Sequence, residues 1–243
     1  MPFKPQVLYE DNHVIVALKP PNMLTQGDRT GDESLLDYLK DYIKDKYGKP
    51  GNVYLGLVHR IDRPVGGLLV FARTSKAAAR LNKQVQERSI VREYICICEG
   101  TAPARFTFKD YLYKDTEKNM VRTLPYYLRR KGKEAVLHAC TVKSLGNTSL
   151  CAVQLETGRA HQIRVQFASN GFPLLGDHRY NKNPSGQIAL WGMRLSFNHP
   201  ITGQNMLFVA PPPIKGYWAE YQNEVDGLNA GWPQISPQIP YER

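Results

Sequence analysis

No apolar run in this 243-residue chain approaches the roughly 20 residues that a membrane-spanning helix needs, so no membrane association is expected. Cysteine is scarce: Cys96, Cys98, Cys140 and Cys151 are too few for a disulfide scaffold, and no charged-then-apolar leader opens the chain. A reducing, cytoplasmic setting is the expectation. Glycine-rich phosphate loops of the dinucleotide or nucleoside-triphosphate type are missing, so no nucleotide cofactor is expected. Cys96-x-Cys98 lacks the second pair of a zinc site, the six histidines include no i, i+4 pair, and there is no Gly-x-Ser-x-Gly elbow. The chemistry must come from ordinary side chains, with no metal. Acid is also in short supply: 32 Lys and Arg face 22 Asp and Glu, a formal net charge of +10. A compact chain this basic is expected to meet a polyanion, and nucleic acid leads that list.

Strand and helix signals alternate along the chain without an internal repeat. Residues 7–10 and 14–18 predict a hairpin around Asp11-Asn12. Leu35, Leu36, Leu39, Tyr42 and Ile43 predict a helix capped by Asp32 and stopped by Gly48 and Pro50. Strands are expected over 53–59 and 68–72, then a helix over 76–88 capped by Ser75. After a strand at 94–99, segment 102–133 reads as loops and short strands. Residues 135–145 and 149–155 flank the hairpin signal Gly146-Asn147. A helix over 160–170, strands over 188–197 and 206–209, and a last helical turn at 217–222 complete the series. The expected class is α+β: a mixed but mostly antiparallel sheet with flanking helices. One domain would occupy 1–222, and 223–243 would lie over its surface as a tail.

Three stretches carry candidate chemistry. In the first, an apolar strand runs into His59-Arg60-Ile61-Asp62-Arg63, where Pro64 and Gly66-Gly67 force a turn. Asp62 would be accessible on a rigid support, with Arg60 on its face. A neighbouring arginine keeps a carboxylate ionised, which suits a nucleophile or base; a solvated ion pair is the competing reading. In the second, Thr157-Gly158 leaves a strand and Arg159 starts a helix carrying His161, Gln162 and Arg164. Such a helix start can hold an anion, either an RNA phosphate or the Asp62 carboxylate, or can merely tether a loop. The third is Arg129-Arg130-Lys131-Gly132-Lys133, expected as a mobile loop laid against phosphates, while most Phe and Tyr of 105–133 turn into the core.

Taken together these stretches resemble the RluA-type pseudouridine synthases. His59-Arg-Ile-Asp62-Arg is similar to that family's catalytic motif and Thr157-Gly-Arg-Ala-His-Gln-Ile-Arg164 to its later basic motif. Tyr9 through Pro20, Arg92-Glu-Tyr94 and Leu175-Gly-Asp177-His-Arg-Tyr180 match in the same order. Two departures are visible: Arg63-Pro-Val-Gly-Gly67 stands where the family often has Thr-Ser-Gly, and Arg-Glu precedes Tyr94 where a lysine is common. The short N-terminus points to a single-domain member without the small RNA-binding domain of many relatives. The resemblance implies isomerisation of uridine to pseudouridine in structured ribosomal or transfer RNA, by a monomer with no cofactor and no metal. Asp62 would be the essential carboxylate, whether it adds to the sugar or removes its 2′ proton. Tyr94 would stack on the base and serve proton removal from C5. Arg164 would pair with Asp62, and Arg60 would fill the gap left by the flipped uridine. His59, Arg63, Arg159, His161, Gln162, Arg129, Arg130, Lys131 and Lys133 complete the expected RNA contacts. A non-catalytic RNA-binding module is the alternative; it would not need an acid set among arginines, which repels RNA.

Overall fold

The computed structural model describes residues 4–235. In chain order these form β1 (Gln6–Glu10), β2 (Val14–Lys19), α1 (Leu35–Tyr47), β3 (Gly56–Leu57), β4 (Gly66–Ala72), α2 (Ser75–Gln86), β5 (Val91–Glu99), β6 (Arg105–Asp115) and β7 (Met120–Leu124). There follow β8 (Lys133–Leu145), β9 (Thr148–Leu155), α3 (Gln162–Ser169), β10 (Leu190–Asn198), β11 (Asn205–Val209) and α4 (Gln222–Ala230), with 3-10 turns at Tyr126–Lys131 and Gly216–Tyr221. This is the expected α+β class with a mostly antiparallel sheet. Two compact units emerge: residues up to Val91 with Gly192–Ala210, and Arg92–Trp191 with the residues from Pro211 on.

In the first unit the strands run β1-β2-β4-β10, with β3 on β4 and β11 on β10. Asp11 makes the first hairpin, its Oδ1 accepting the N–H groups of His13 at 2.7 Å and Val14 at 2.8 Å. Every residue of β2 and β4 is buried, and apart from Lys19 at the end of β2 both read as apolar runs rather than alternating ones. Register brings Lys19 opposite Gly67. A Cβ at Gly67 would lie 2.5 Å from the backbone nitrogen of Gly192, so only glycine permits that approach. Helix α1 is capped by Ser34, not Asp32, and ends on Gly48 in the left-handed region (φ 55°). Helix α2 is capped by Thr74, one residue before the expected Ser75: its Oγ1 accepts the Ala77 N–H at 3.1 Å. The strand expected over 53–59 shrinks to β3. The Val70 N–H of β4 goes to the His59 ring at 3.3 Å instead of a backbone carbonyl, and the ladder stops there.

In the second unit the order is β5-β9-β8-β6-β7, antiparallel throughout. Segment 102–133 is not loops and short strands: β6 runs for 11 residues and pairs with both β7 and β8. Its Phe106 and Phe108 are buried and meet Phe167 of α3 at centroid distances of 5.7 and 5.4 Å. The α3 helix begins at Gln162, because His161 before it is left-handed (φ 52°). The four cysteines are buried free thiols, and burial raises the pKa of Cys96. Residues 223–230, expected as the start of a tail, belong to α4, which buries Val225 and Leu228. Residues 236–243 of that expected tail lie outside the described residues. Among the described residues no helix is long and apolar enough to cross a membrane.

Candidate active site

Between β3 and β4 the chain leaves the sheet and turns at residues 62–65, closed by the Val65 N–H donating to the Asp62 carbonyl at 3.0 Å. The backbone on either side of Asp62 is pinned. Thr25 Oγ1 accepts the Ile61 N–H at 3.2 Å and donates to the Ile61 carbonyl at 2.8 Å. Lys19, wholly buried at the end of β2, donates to the carbonyls of Pro20 (3.0 Å), Met23 (2.7 Å) and Arg63 (3.2 Å). An ammonium has three donors, and each carbonyl takes one. Burial pushes the Lys19 pKa down to about 7, overriding the attraction of the Asp62 charge. Asp62 itself is half-buried and Arg60 exposed. Arg63 turns away to Asp32, in an ion pair of 2.7 Å, and to the Asn22 carbonyl at 3.2 Å. His59 is buried and spends its Nε2 on Val70. The result is a carboxylate on a backbone held by Lys19 and Thr25. Sequence reasoning gives neither a role; the only signal is Lys19-Pro20 closing an otherwise apolar strand.

In the second unit Tyr94 sits on β5 opposite Val153, 7% exposed. Arg164 on α3 is equally buried and engages Asp177 fork to fork, Nε to Oδ2 at 2.9 Å and Nη2 to Oδ1 at 2.7 Å. Asp177, although it lies in the matching segment 175–180, is another residue to which sequence reasoning gives no role. Tyr180 closes the group: its ring lies 5.3 Å from the Arg164 guanidinium, and its hydroxyl accepts the Val121 N–H (3.0 Å) and meets His161 Nδ1 (2.7 Å). The expected helix-start anion site is largely filled from within. Gln162 Oε1 accepts from the Thr157 hydroxyl and the Arg159 N–H, both at 2.9 Å, while its Nε2 donates to the Val136 carbonyl at 3.1 Å. Arg159 remains exposed, its Nε on the Glu134 carbonyl at 2.9 Å.

Residues 129–131 are not in a loop but in the 3-10 turn, closed by the Gly132 N–H donating to the Arg129 carbonyl. Arg130, Lys131 and Lys133 are exposed; Arg129 lies 4.1 Å over the Tyr126 ring. Tyr126 and Tyr127 do not turn inward: they are 69% and 78% exposed, because the short turn has no core beneath it and buries none of its residues. Among the described residues no group of three or more His, Cys, Asp or Glu side chains is placed to hold a metal ion.

Residues 13–169, which include the Asp62 turn, Tyr94 and Arg164, match the family model described as RNA pseudouridylate synthase. The chain belongs to that family. Within it the resemblance is to the RluA type, and the chain is an RNA pseudouridine synthase, an isomerase. It is 30% identical over 228 residues to the ribosomal large subunit pseudouridine synthase C of Buchnera aphidicola, covering 89% of this chain and 69% of that protein. It is 32% identical over 246 residues to the ribosomal large subunit pseudouridine synthase D of Haemophilus influenzae, covering 90% and 74%. Among solved structures, human RNA pseudouridylate synthase domain containing 4 superposes with a TM-score of 0.73 at 19% identity, covering 90% of this chain and 92% of that one. At that identity the likeness bears on the fold, and it agrees with the synthase α+β sheet.

Proposed function

We propose that this synthase isomerises specific uridines in structured RNA, ribosomal or transfer, with Asp62 as the essential carboxylate and residues 1–222 as its catalytic part. The C1′–N1 bond breaks, the base turns, and a C1′–C5 bond forms. C5 loses its proton and N1 gains one, so the reaction balances without an added reactant. The observation that carries this reading is the Asp62 turn, whose backbone is fixed by Lys19 and Thr25 while its side chain stays partly accessible. The names of the two relatives support ribosomal RNA as the first substrate to try. The target uridine leaves the stack at a cost of a few kcal/mol, offset by stacking on Tyr94 of about 1–3 kcal/mol. Arg164, oriented by Asp177, is the second catalytic residue, and Arg60 occupies the vacated place in the helix. Gln162 and His59 act as positioning residues, and Arg63, Arg159, His161 and the cations of 129–133 meet the backbone.

The test is release of tritium from C5 when the purified protein is incubated with ribosomal or transfer RNA labelled with [5-³H]uridine. Release from one pool identifies the substrate class. RNA binding without release from either pool overturns the catalytic reading in favour of a binding module.

A further inference from the structure

Arg92 is a cation with no internal task. It precedes Tyr94 by two positions on β5, so the two side chains leave the strand on the same face. Arg92 makes no ion pair among the described residues, and its Nε is buried without a hydrogen-bond partner. A buried, unsatisfied guanidinium nitrogen is costly unless a ligand satisfies it. The guanidinium also has a built seat. A Cβ at Gly158 would lie 2.6 Å from its Nη1 and 3.3 Å from its Nη2, so the glycine is what makes room for it. That seat is rigid: Gln162 ties Thr157 and the Arg159 N–H together around Gly158 and anchors both to β8.

The geometry points to Arg92 as a docking point for one backbone phosphate of the RNA, next to the nucleotide that meets Tyr94. This rests on the proposed function and deepens it. Three features select a phosphate. Its oxygens match the planar fork of a guanidinium. It is the one anionic group that RNA presents at every nucleotide. And it would bring an anion to the outer nitrogens of a guanidinium that makes no ion pair among the described residues. Arg92 then registers the strand so that the base beside that phosphate falls on Tyr94. It contacts substrate, yet takes no part in bond making.

The experiment uses the full chain and four proteins: wild type, Arg92→Lys, Arg92→Gln and Gly158→Ala. Tritium release from [5-³H]uridine-labelled cellular RNA first locates a target uridine. Binding is then measured on a synthetic RNA around it, with each nearby phosphate replaced in turn by an uncharged methylphosphonate. Wild type should lose roughly tenfold in Kd at one such phosphate, the scale of a charged hydrogen bond. Arg92→Gln should be weaker by a similar factor on the unmodified RNA and indifferent to replacement at that position, while kcat at saturating RNA changes little. Gly158→Ala should reproduce Arg92→Gln without removing any charge, because its methyl group displaces the guanidinium. Arg92→Lys, which keeps the charge but not the fork, should fall between. A variant that retains wild-type sensitivity at every phosphate, or a loss confined to kcat, overturns the assignment. No tritium release from wild type overturns the catalytic reading instead, so the two failures are distinguishable.

Discussion

Asp177→Asn is nearly isosteric, yet it removes the negative charge from a buried hydrogen-bonded fork. The two bonds to Arg164 measure 2.9 and 2.7 Å, and the paired side chains are 6% and 0% exposed. Removing one partner of such a pair costs about 3–5 kcal/mol, because the other charge stays buried with that compensation lost. Asparagine keeps one oxygen acceptor, which places the expected loss near 3 kcal/mol. For a chain of this length that corresponds to roughly 6–12 °C in Tm. Arg164→Met should cost a similar amount by stranding the Asp177 carboxylate. The double variant strands neither, so its loss should fall short of the sum of the singles by about 2 kcal/mol. Activity separates the two roles of the arginine. Asp177→Asn should keep a fraction of turnover, whereas the double variant should regain stability and no activity, since the arginine proposed as catalytic would still be missing. Urea unfolding and tritium release on all four proteins complete the cycle. Single losses that add within about 0.5 kcal/mol, or turnover restored in the double variant, refute this account.

Asp62→Asn should abolish tritium release while leaving RNA affinity nearly intact; a comparable rate removes Asp62 from the chemistry. Neutralising Arg129, Arg130, Lys131 and Lys133 together should flatten the salt dependence of RNA binding, by about 0.7 in slope for each phosphate that is no longer neutralised. An unchanged slope with a collapsed maximal rate would place the turn in the active site instead. Lys19 makes stability depend on pH with a definite sign. Its folded pKa of about 7 lies below the ordinary 10.5, so the unfolded chain binds more protons between those values and stability rises with pH across that window. Relative to Lys19→Met, wild type should gain about 3 kcal/mol between pH 7 and 9.5 in urea unfolding; a flat or falling difference contradicts the burial argument.

What could be read from the sequence was what local chemistry decides. The β1–β2 and β8–β9 hairpins were legible because Asp11-Asn12 and Gly146-Asn147 are turn formers, and Gly146 indeed takes a positive φ of 54°. Caps were harder, since Asp32 and Ser34 are both good N-cap residues. Ser34 wins because Asp37 completes a reciprocal pair with it: the Ser34 hydroxyl donates to Asp37 Oδ2 at 2.6 Å, and the Asp37 N–H returns to Ser34 Oγ at 3.3 Å. The length of β6 was hidden because tyrosines and lysines interrupt its alternation, and only the partners on both sides, β7 and β8, keep it extended. The Asp62 turn was visible from Pro64 and the paired glycines. Its clamp was not, because the Lys19 contact to the Arg63 carbonyl spans 44 residues and its acceptors are main-chain atoms that no sequence pattern marks.

The two buried cations show why each site has the residue it has. Arg164 cannot shed its proton, so burying it requires an opposite charge, and Asp177 supplies a carboxylate whose two oxygens match the guanidinium edge. Lys19 meets three neutral carbonyls instead, which an ammonium can satisfy one donor at a time but a planar guanidinium could not reach together. Carbonyl dipoles compensate a buried charge less than a carboxylate does, and the Lys19 pKa drops accordingly. The difference suits their places. Three carbonyls drawn to one point bend residues 20–23 against Arg63, which fixes main chain beside Asp62. A fork against a fork fixes a side chain, with Nε and Nη2 committed to Asp177 and the guanidinium plane set by them.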